Sequence, residues 1–172
     1  MDCDIRQMRA AEYGLLPDFL YLAIFIPEGA AAPPRSVLER PELQVYVRDF
    51  GSGPADVCYV AENGGCIVGA AWSRIMDDYG HLADDVPSLA ISLYPEFRGQ
   101  GTGRRLLQAL LGELGRRGFD SASLSVQKSN YAVKLYRSLG FRTVAETDEE
   151  YLMSIGPAVN KGKGKDDNEQ LG

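Results

Sequence analysis

Three glycines fall within five residues, at Gly99, Gly101 and Gly103, with Arg98 before them and Arg104 and Arg105 after them. An apolar run, Leu89–Leu93, leads in through Tyr94-Pro95-Glu96-Phe97, and a leucine-striped run leads out. A glycine-rich turn ahead of a helix lets successive backbone N–H groups point into one concavity. The helix N-terminus adds partial positive charge. The chemistry this suits is capture of a phosphate or pyrophosphate, with the arginines supplying further charge. Other phosphate loops fit worse. A P-loop requires Gly-Lys-Ser/Thr at the helix start, and Gly103 is followed by two arginines. A dinucleotide fingerprint begun at Gly99 requires glycine where Arg104 stands.

The remaining reactive side chains exclude more than they suggest. His81 is the sole histidine, which disfavours a histidine-based zinc site or a Ser-His triad. Cys3, Cys58 and Cys66 include no close pair of metal-site spacing, so no metal is expected. An odd cysteine count without a signal-like N-terminus reads as reduced thiols, most simply small buried hydrophobes.

The elements that must position the loop follow from periodicity. Cys3–Met8 reads as a first strand and Ala10–Ile24 as a helix that Pro17 starts or kinks. Residues 26–34 form a Pro/Gly/Ala-rich loop, and Pro41–Asp49 a short helix with proline in its first turn. Val57–Glu62 and Cys66–Met76 read as strands joined at Asn63-Gly64, a hairpin signal. A turn on those two residues sets Glu62 opposite Gly65 and Cys58 opposite Gly69, so Cys58 and Cys66 are not partners. Leu89–Leu93 is the next strand. Thr102–Arg117 carries Leu106, Leu107, Leu110, Leu111 and Leu114 on one face, and Gly118 ends it. Ser121–Val126 is a strand, Asn130–Leu139 a helix closed by Gly140, and Phe141–Thr147 and Tyr151–Ile155 the last strands. The order predicts a mixed α/β sheet with one strand–helix crossover at its centre.

The 172 residues and 45% apolar content fit one domain with a real core, expected over 1–156. Residues 157–172 are almost devoid of apolar side chains and read as a disordered tail. A net charge of −6 argues against nucleic acid or an anionic membrane as partner and mildly favours a cationic or amine substrate. No uncharged apolar stretch reaches spanning length, and the N-terminus lacks a signal pattern, so the cytoplasm is the expected compartment.

Two segments together resemble a known family, the Gcn5-related N-acetyltransferases (GNAT). The first is Arg98-x-x-Gly101-x-Gly103 after a strand, with Pro95 upstream and Leu106-Leu107 downstream. The second is Asn130, Ala132 and Leu135-Tyr136-Arg137-Ser138-Leu139-Gly140-Phe141. The resemblance covers residue 57 to about residue 155. The first fifty residues match only as the variable substrate side.

The resemblance implies a central, mostly antiparallel sheet of about six to seven strands flanked by helices. It also implies acetyl-CoA as cosubstrate of an acyltransferase that acetylates a primary amine of a small molecule or peptide by direct attack. A bulge in the strand before the loop is expected to splay two strands, with the main chain of Ile91 to Leu93 pairing with the pantetheine arm. A backbone N–H near Leu93 would stabilise the oxyanion. Amides from Gly99, Gln100, Gly101, Thr102, Gly103 and Arg104, with Arg98, would hold the pyrophosphate, and Asn130 would hydrogen-bond the cofactor. Tyr136 is the implied general acid for the departing thiolate. For the general base, Ser88 stands about where the family commonly has Glu, which leaves Asp84, Asp85, His81 or no residue at all. Residues 19–46, with Tyr21, Phe25, Ile26, Glu28 and Pro33-Pro34, are expected to wall the acceptor site. Asp148-Glu149-Glu150-Tyr151 is expected opposite, as amine-recognising acids or plain surface charge. A homodimer through the C-terminal strands is compatible with the resemblance. Two rival readings are a catalytically silent CoA-binding sensor and a nucleotide- or phosphometabolite-binding domain.

Overall fold

The computed structural model describes residues 2–76, 83 and 85–157. Its centre is a seven-stranded sheet in the order β1-β2-β3-β4-β5-β7-β6. The strands are β1 (Asp4–Gln7), β2 (Val57–Asn63), β3 (Cys66–Arg74), β4 (Ser88–Leu93), β5 (Ala122–Gln127), β6 (Arg142–Glu146) and β7 (Glu150–Ile155). Every neighbouring pair is antiparallel except β4 with β5. The helices are α1 (Leu16–Ala23), α2 (Pro41–Gln44), α3 (Thr102–Arg116) and α4 (Ala132–Leu139). The mixed α/β architecture is the one expected.

Alternation along the strands divides the core between the two faces. On one face Leu89 and Leu93 of β4 and Leu124 and Val126 of β5 pack with the α3 leucines and with Val133 and Tyr136 of α4. On the other face Ala70 and Trp72 of β3 and Cys58 and Val60 of β2 pack with Leu16, Phe19 and Leu20 of α1. Leu106, Leu107 and Leu110 of α3 are fully buried. At about 1.5–3 kcal/mol per buried side chain, that stripe anchors the loop before it to the sheet.

Local chemistry revised several expectations. Residues 10–15 form a 3-10 helix and the α-helix begins only at Leu16, because Pro17 is tolerated in a first turn and not in an interior. The helix at Pro41 ends at Gln44 and continues as turns. Residues 35–39 form an unanticipated 3-10 helix. The β2–β3 turn is Gly64-Gly65, both at positive φ (58° and 83°), so Asn63 faces Cys66. A two-residue hairpin turn needs left-handed backbone at both central positions, and two glycines supply it. A register shift beside Ala61/Glu62 then brings Cys58 opposite Trp72 and not Gly69. Cys58 and Cys66 remain unpaired, as expected.

Candidate active site

β4 carries no bulge: its register against β3 is unbroken from Gly69↔Leu93 to Arg74↔Ser88. The splay arises differently. Tyr94 N–H donates to the Val68 carbonyl at 3.0 Å. Backbone groups alternate sides along an antiparallel strand, so Ser88, Ala90 and Ser92 address β3, while Leu89, Ile91 and Leu93 address β5. β5 meets them only at the inner end. Ser123 N–H donates to the Pro87 carbonyl at 2.9 Å, and Ser88↔Ser123 is the single register pair. Beyond it the strands diverge. The backbone groups of Ile91 and Leu93 therefore face a gap that Ser125 faces from the β5 side. The Leu93 carbonyl accepts from Arg98 Nε at 2.9 Å, which leaves the Leu93 N–H as the donor at that point of the gap.

The gap belongs to a cavity of about 1070 Å³ that reaches both faces of the sheet. At the α3 face it is lined by Arg98, Gly99, Gly101, Gly103 and Arg104, and by Asn130, Lys134 and Tyr136. Gly99 and Gly101 have φ of 72° and 83°, a conformation that other L residues adopt only at a cost. Gly101 occupies the N-cap position of α3 without a side-chain cap, so the first-turn amides stay open to a ligand. The left-handed glycines, free helix amides and flanking cations fit a pyrophosphate.

Most of the residues singled out in the sequence converge here, and some do not. Ile91, Leu93, Arg98, Gly99, Gly101, Gly103, Arg104, Asn130 and Tyr136 all line the cavity. Gln100 turns away, its Nε2 donating to the Glu96 carbonyl at 2.9 Å, and Thr102 is buried in the first turn of α3. Arg105 is a correction: it donates to the Cys3 carbonyl at 2.9 Å, tying α3 to the start of β1, and does not line the cavity. Arg104 Nη2 donates to Ser138 Oγ, which holds it between α3 and α4. Asn130 Oδ1 accepts the Ala132 N–H at 2.9 Å, so this side chain starts α4 and has an amide NH₂ that can donate to a ligand.

Tyr136 is 7% exposed and stands edge-on to Phe141, with ring centroids 5.8 Å apart. Burial, with a smaller contribution from Tyr131, pushes its phenol well above the ordinary tyrosine range. It is a neutral O–H donor at any physiological pH, although a weaker acid than a free phenol. Cys58 is also pushed up by burial and then by Glu12, which makes it an inert core thiol.

Of the base candidates, Asp85 is exposed and does not line the cavity, and His81 and Asp84 lie outside the described residues. Ser88 is buried where the two strands meet. At the opposite face the cavity is walled by Tyr21, Phe25, Ile26, Leu43 and Tyr46. Tyr21 Oη donates to the Pro33 carbonyl at 2.6 Å, which fastens the proline loop over α1. Phe19 and Glu28 stand outside this wall: Phe19 is core, against Tyr94 at 5.8 Å, and Glu28 is exposed. From the acidic hairpin, Glu150 lines the cavity. Among the described residues, no group of His, Cys, Asp and Glu is arranged to hold a metal, and no helix is long and apolar enough to cross a membrane.

Residues 25–141 match the sequence profile of the Acetyltransferase (GNAT) family. Over 118 residues the chain is 30% identical to a mycothiol acetyltransferase of Propionibacterium freudenreichii, covering 68% of this chain and 36% of that protein. Over 80 residues it is 35% identical to the ribosomal protein bS18-alanine N-acetyltransferase of Haemophilus ducreyi, covering 46% of this chain and 55% of that one. The chain thus spans from about a third to about half of the relatives it matches. In fold it is similar to PaiA N-acetyltransferase of Thermoplasma acidophilum in complex with coenzyme A. The TM-score is 0.64 at 16% identity, covering 91% of this chain and 99% of that one. A profile match across most of the chain, on the fold described above, establishes that this protein belongs to the GNAT acetyltransferase family.

Proposed function

We propose that this protein is an acetyl-CoA-dependent N-acetyltransferase that acetylates a primary amine of a small molecule or peptide by direct attack on the thioester. The observation that carries this reading is one continuous cavity. It joins a glycine loop with open helix amides to the gap where β4 and β5 diverge and to a buried tyrosine. Acetyl-CoA supplies an activated acyl group, and this chain's residues bind, orient and protonate.

Amides at residues 99–104, with Arg98 and Arg104, hold the pyrophosphate. The backbone of Ile91 and Leu93 holds the pantetheine as an extra strand. The Leu93 N–H receives the negative charge that develops on the carbonyl oxygen of the tetrahedral intermediate. Tyr136 donates its phenolic proton to the departing thiolate. Peptide and small-molecule amines are the acceptors suggested by what the relatives are named for.

A second reading, a CoA-binding module without turnover, draws support from Ser88, a buried residue standing where the family commonly has a carboxylate. One assay separates the two: release of free thiol from acetyl-CoA on adding an N-terminal alanine peptide, free lysine or a diamine. Amine-dependent thiol release supports the enzyme. Binding of CoA with no release above the blank for any of the three supports the silent module.

A further inference from the structure

The cavity is electrically polarised across the sheet. The strand parity that puts Leu124 and Val126 on the α3 face puts Ser125 and Gln127 on the α1 face. Glu150 is the register partner of Gln127 and shares that face. Glu150 Oε1 accepts from Gln127 Nε2 at 3.0 Å, and Oε2 accepts from Ser125 Oγ at 3.4 Å. Two neutral donors thus aim a half-buried carboxylate, and neither neutralises it. Among the described residues lining the cavity it is the sole carboxylate, whereas Arg98, Arg104 and Lys134 gather at the other end. Nearby charges are otherwise engaged: Lys128 pairs with Glu146 at 2.6 Å, and Arg137 lies over the Tyr151 ring. The phenols of Tyr21, Tyr46, Tyr131 and Tyr136 share the cavity.

We propose that Glu150 is the group that receives the acceptor: its carboxylate holds the incoming ammonium and takes one proton from it. The assignment rests on the N-acetyltransferase reading and names the residue that makes the site select amines. An ammonium brings three protons. Glu150 accepts one and passes it to solvent, which frees the lone pair to attack the thioester carbon. The new C–N bond forms, the C–S bond breaks, and a second nitrogen proton balances the one that Tyr136 gives to the thiolate. The amide keeps the third. The aromatic and aliphatic wall opposite, including Phe25, Ile26 and Tyr46, suits an acceptor with apolar groups beside its amine.

The test compares wild type with Glu150→Gln, Glu150→Asp and Glu149→Gln, using an N-terminal alanine peptide at a series of pH values. Glutamine keeps the shape and loses the base. Near neutral pH Glu150→Gln is expected to lower kcat/KM roughly a hundredfold. The deficit should shrink above about pH 9, where the peptide's α-amino group arrives neutral. Glu150→Asp should fall between, Glu149→Gln should match wild type, and acetyl-CoA affinity should stay within about twofold throughout. A Glu150→Gln enzyme that folds, binds acetyl-CoA and keeps activity within about threefold of wild type overturns the assignment, as does an equal deficit at every pH. If Glu150→Gln fails to fold, a Glu150→Asp rate equal to wild type at every pH overturns it and a neutral-pH deficit supports it. If wild type acetylates none of the peptide, free lysine or a diamine while still binding CoA, the underlying reading falls and the assignment falls with it.

Discussion

The two ends of the cavity are built from different materials. The anion end is backbone: left-handed glycines, helix amides and outward N–H groups of a strand, with arginines as trim. The acceptor end is side chains brought together from α1, the following loop, α2, β5 and β7. A backbone site depends first on the conformation that its glycines permit. A side-chain site can be rebuilt residue by residue. That difference suits a common acyl donor at one end and a variable acceptor at the other.

Variants can break this contrast. The largest effect is expected from Tyr136→Phe, where donor binding and chemistry separate. The rate of thiol release should fall by roughly 10²–10⁴ while acetyl-CoA affinity, measured by calorimetry, holds within about threefold. Comparable losses in both would make Tyr136 a packing residue. Next comes Gly101→Val, which forces a β-branched residue into a left-handed position, at about 1–2 kcal/mol of backbone strain, and disturbs the first-turn amides. Acetyl-CoA affinity should drop about tenfold or more, with acceptor KM little changed.

Alkaline pH probes buried groups on both faces of the sheet. Buried Cys58 and Tyr136 keep their protons in the folded state at pH values where the unfolded chain loses them. The unfolded state then binds fewer protons, so stability is full below about pH 8.5. It should fall by about 1.4 kcal/mol per pH unit from the thiol above that, and again from the phenol above about pH 10. Denaturant melts of wild type and Cys58→Ala check it: the variant should lose the lower onset. The smallest effect is expected from Gln100→Ala. Its side chain caps Glu96 and turns away from the cavity, so acetyl-CoA affinity should change less than about twofold.

How much of this was legible in the sequence follows the same division. The glycine loop announces itself, because positive φ and open amides demand particular residues in consecutive positions. The α3 stripe does so through its period. Tyr136 was legible through its motif. The acceptor end was legible as two segments, residues 19–46 and 148–151, but not residue by residue, because Glu150 takes its place through its pairing with Gln127, from which α4 and β6 separate it. Three neighbouring acids looked equivalent, and Glu150 alone of them belongs to β7, opposite Gln127. The hairpin register failed for a related reason: Asn63-Gly64-Gly65 offers two turns, and the glycine pair won. Arg105 looked like its neighbour Arg104, and one step of helical rotation sends it to β1.

The most direct test of the central claim, that the glycine loop and strand gap form an acyl-CoA site, is the melting temperature with acetyl-CoA, CoA, ATP and NAD. A ligand at about a hundredfold its Kd adds about 2.7 kcal/mol, which is several degrees in a domain of this size. Stabilisation by acetyl-CoA and CoA, absent with ATP and NAD and cut to about half or less in Gly101→Val, is the predicted result. No shift with either CoA species, or an equal shift with ATP or NAD, would contradict it.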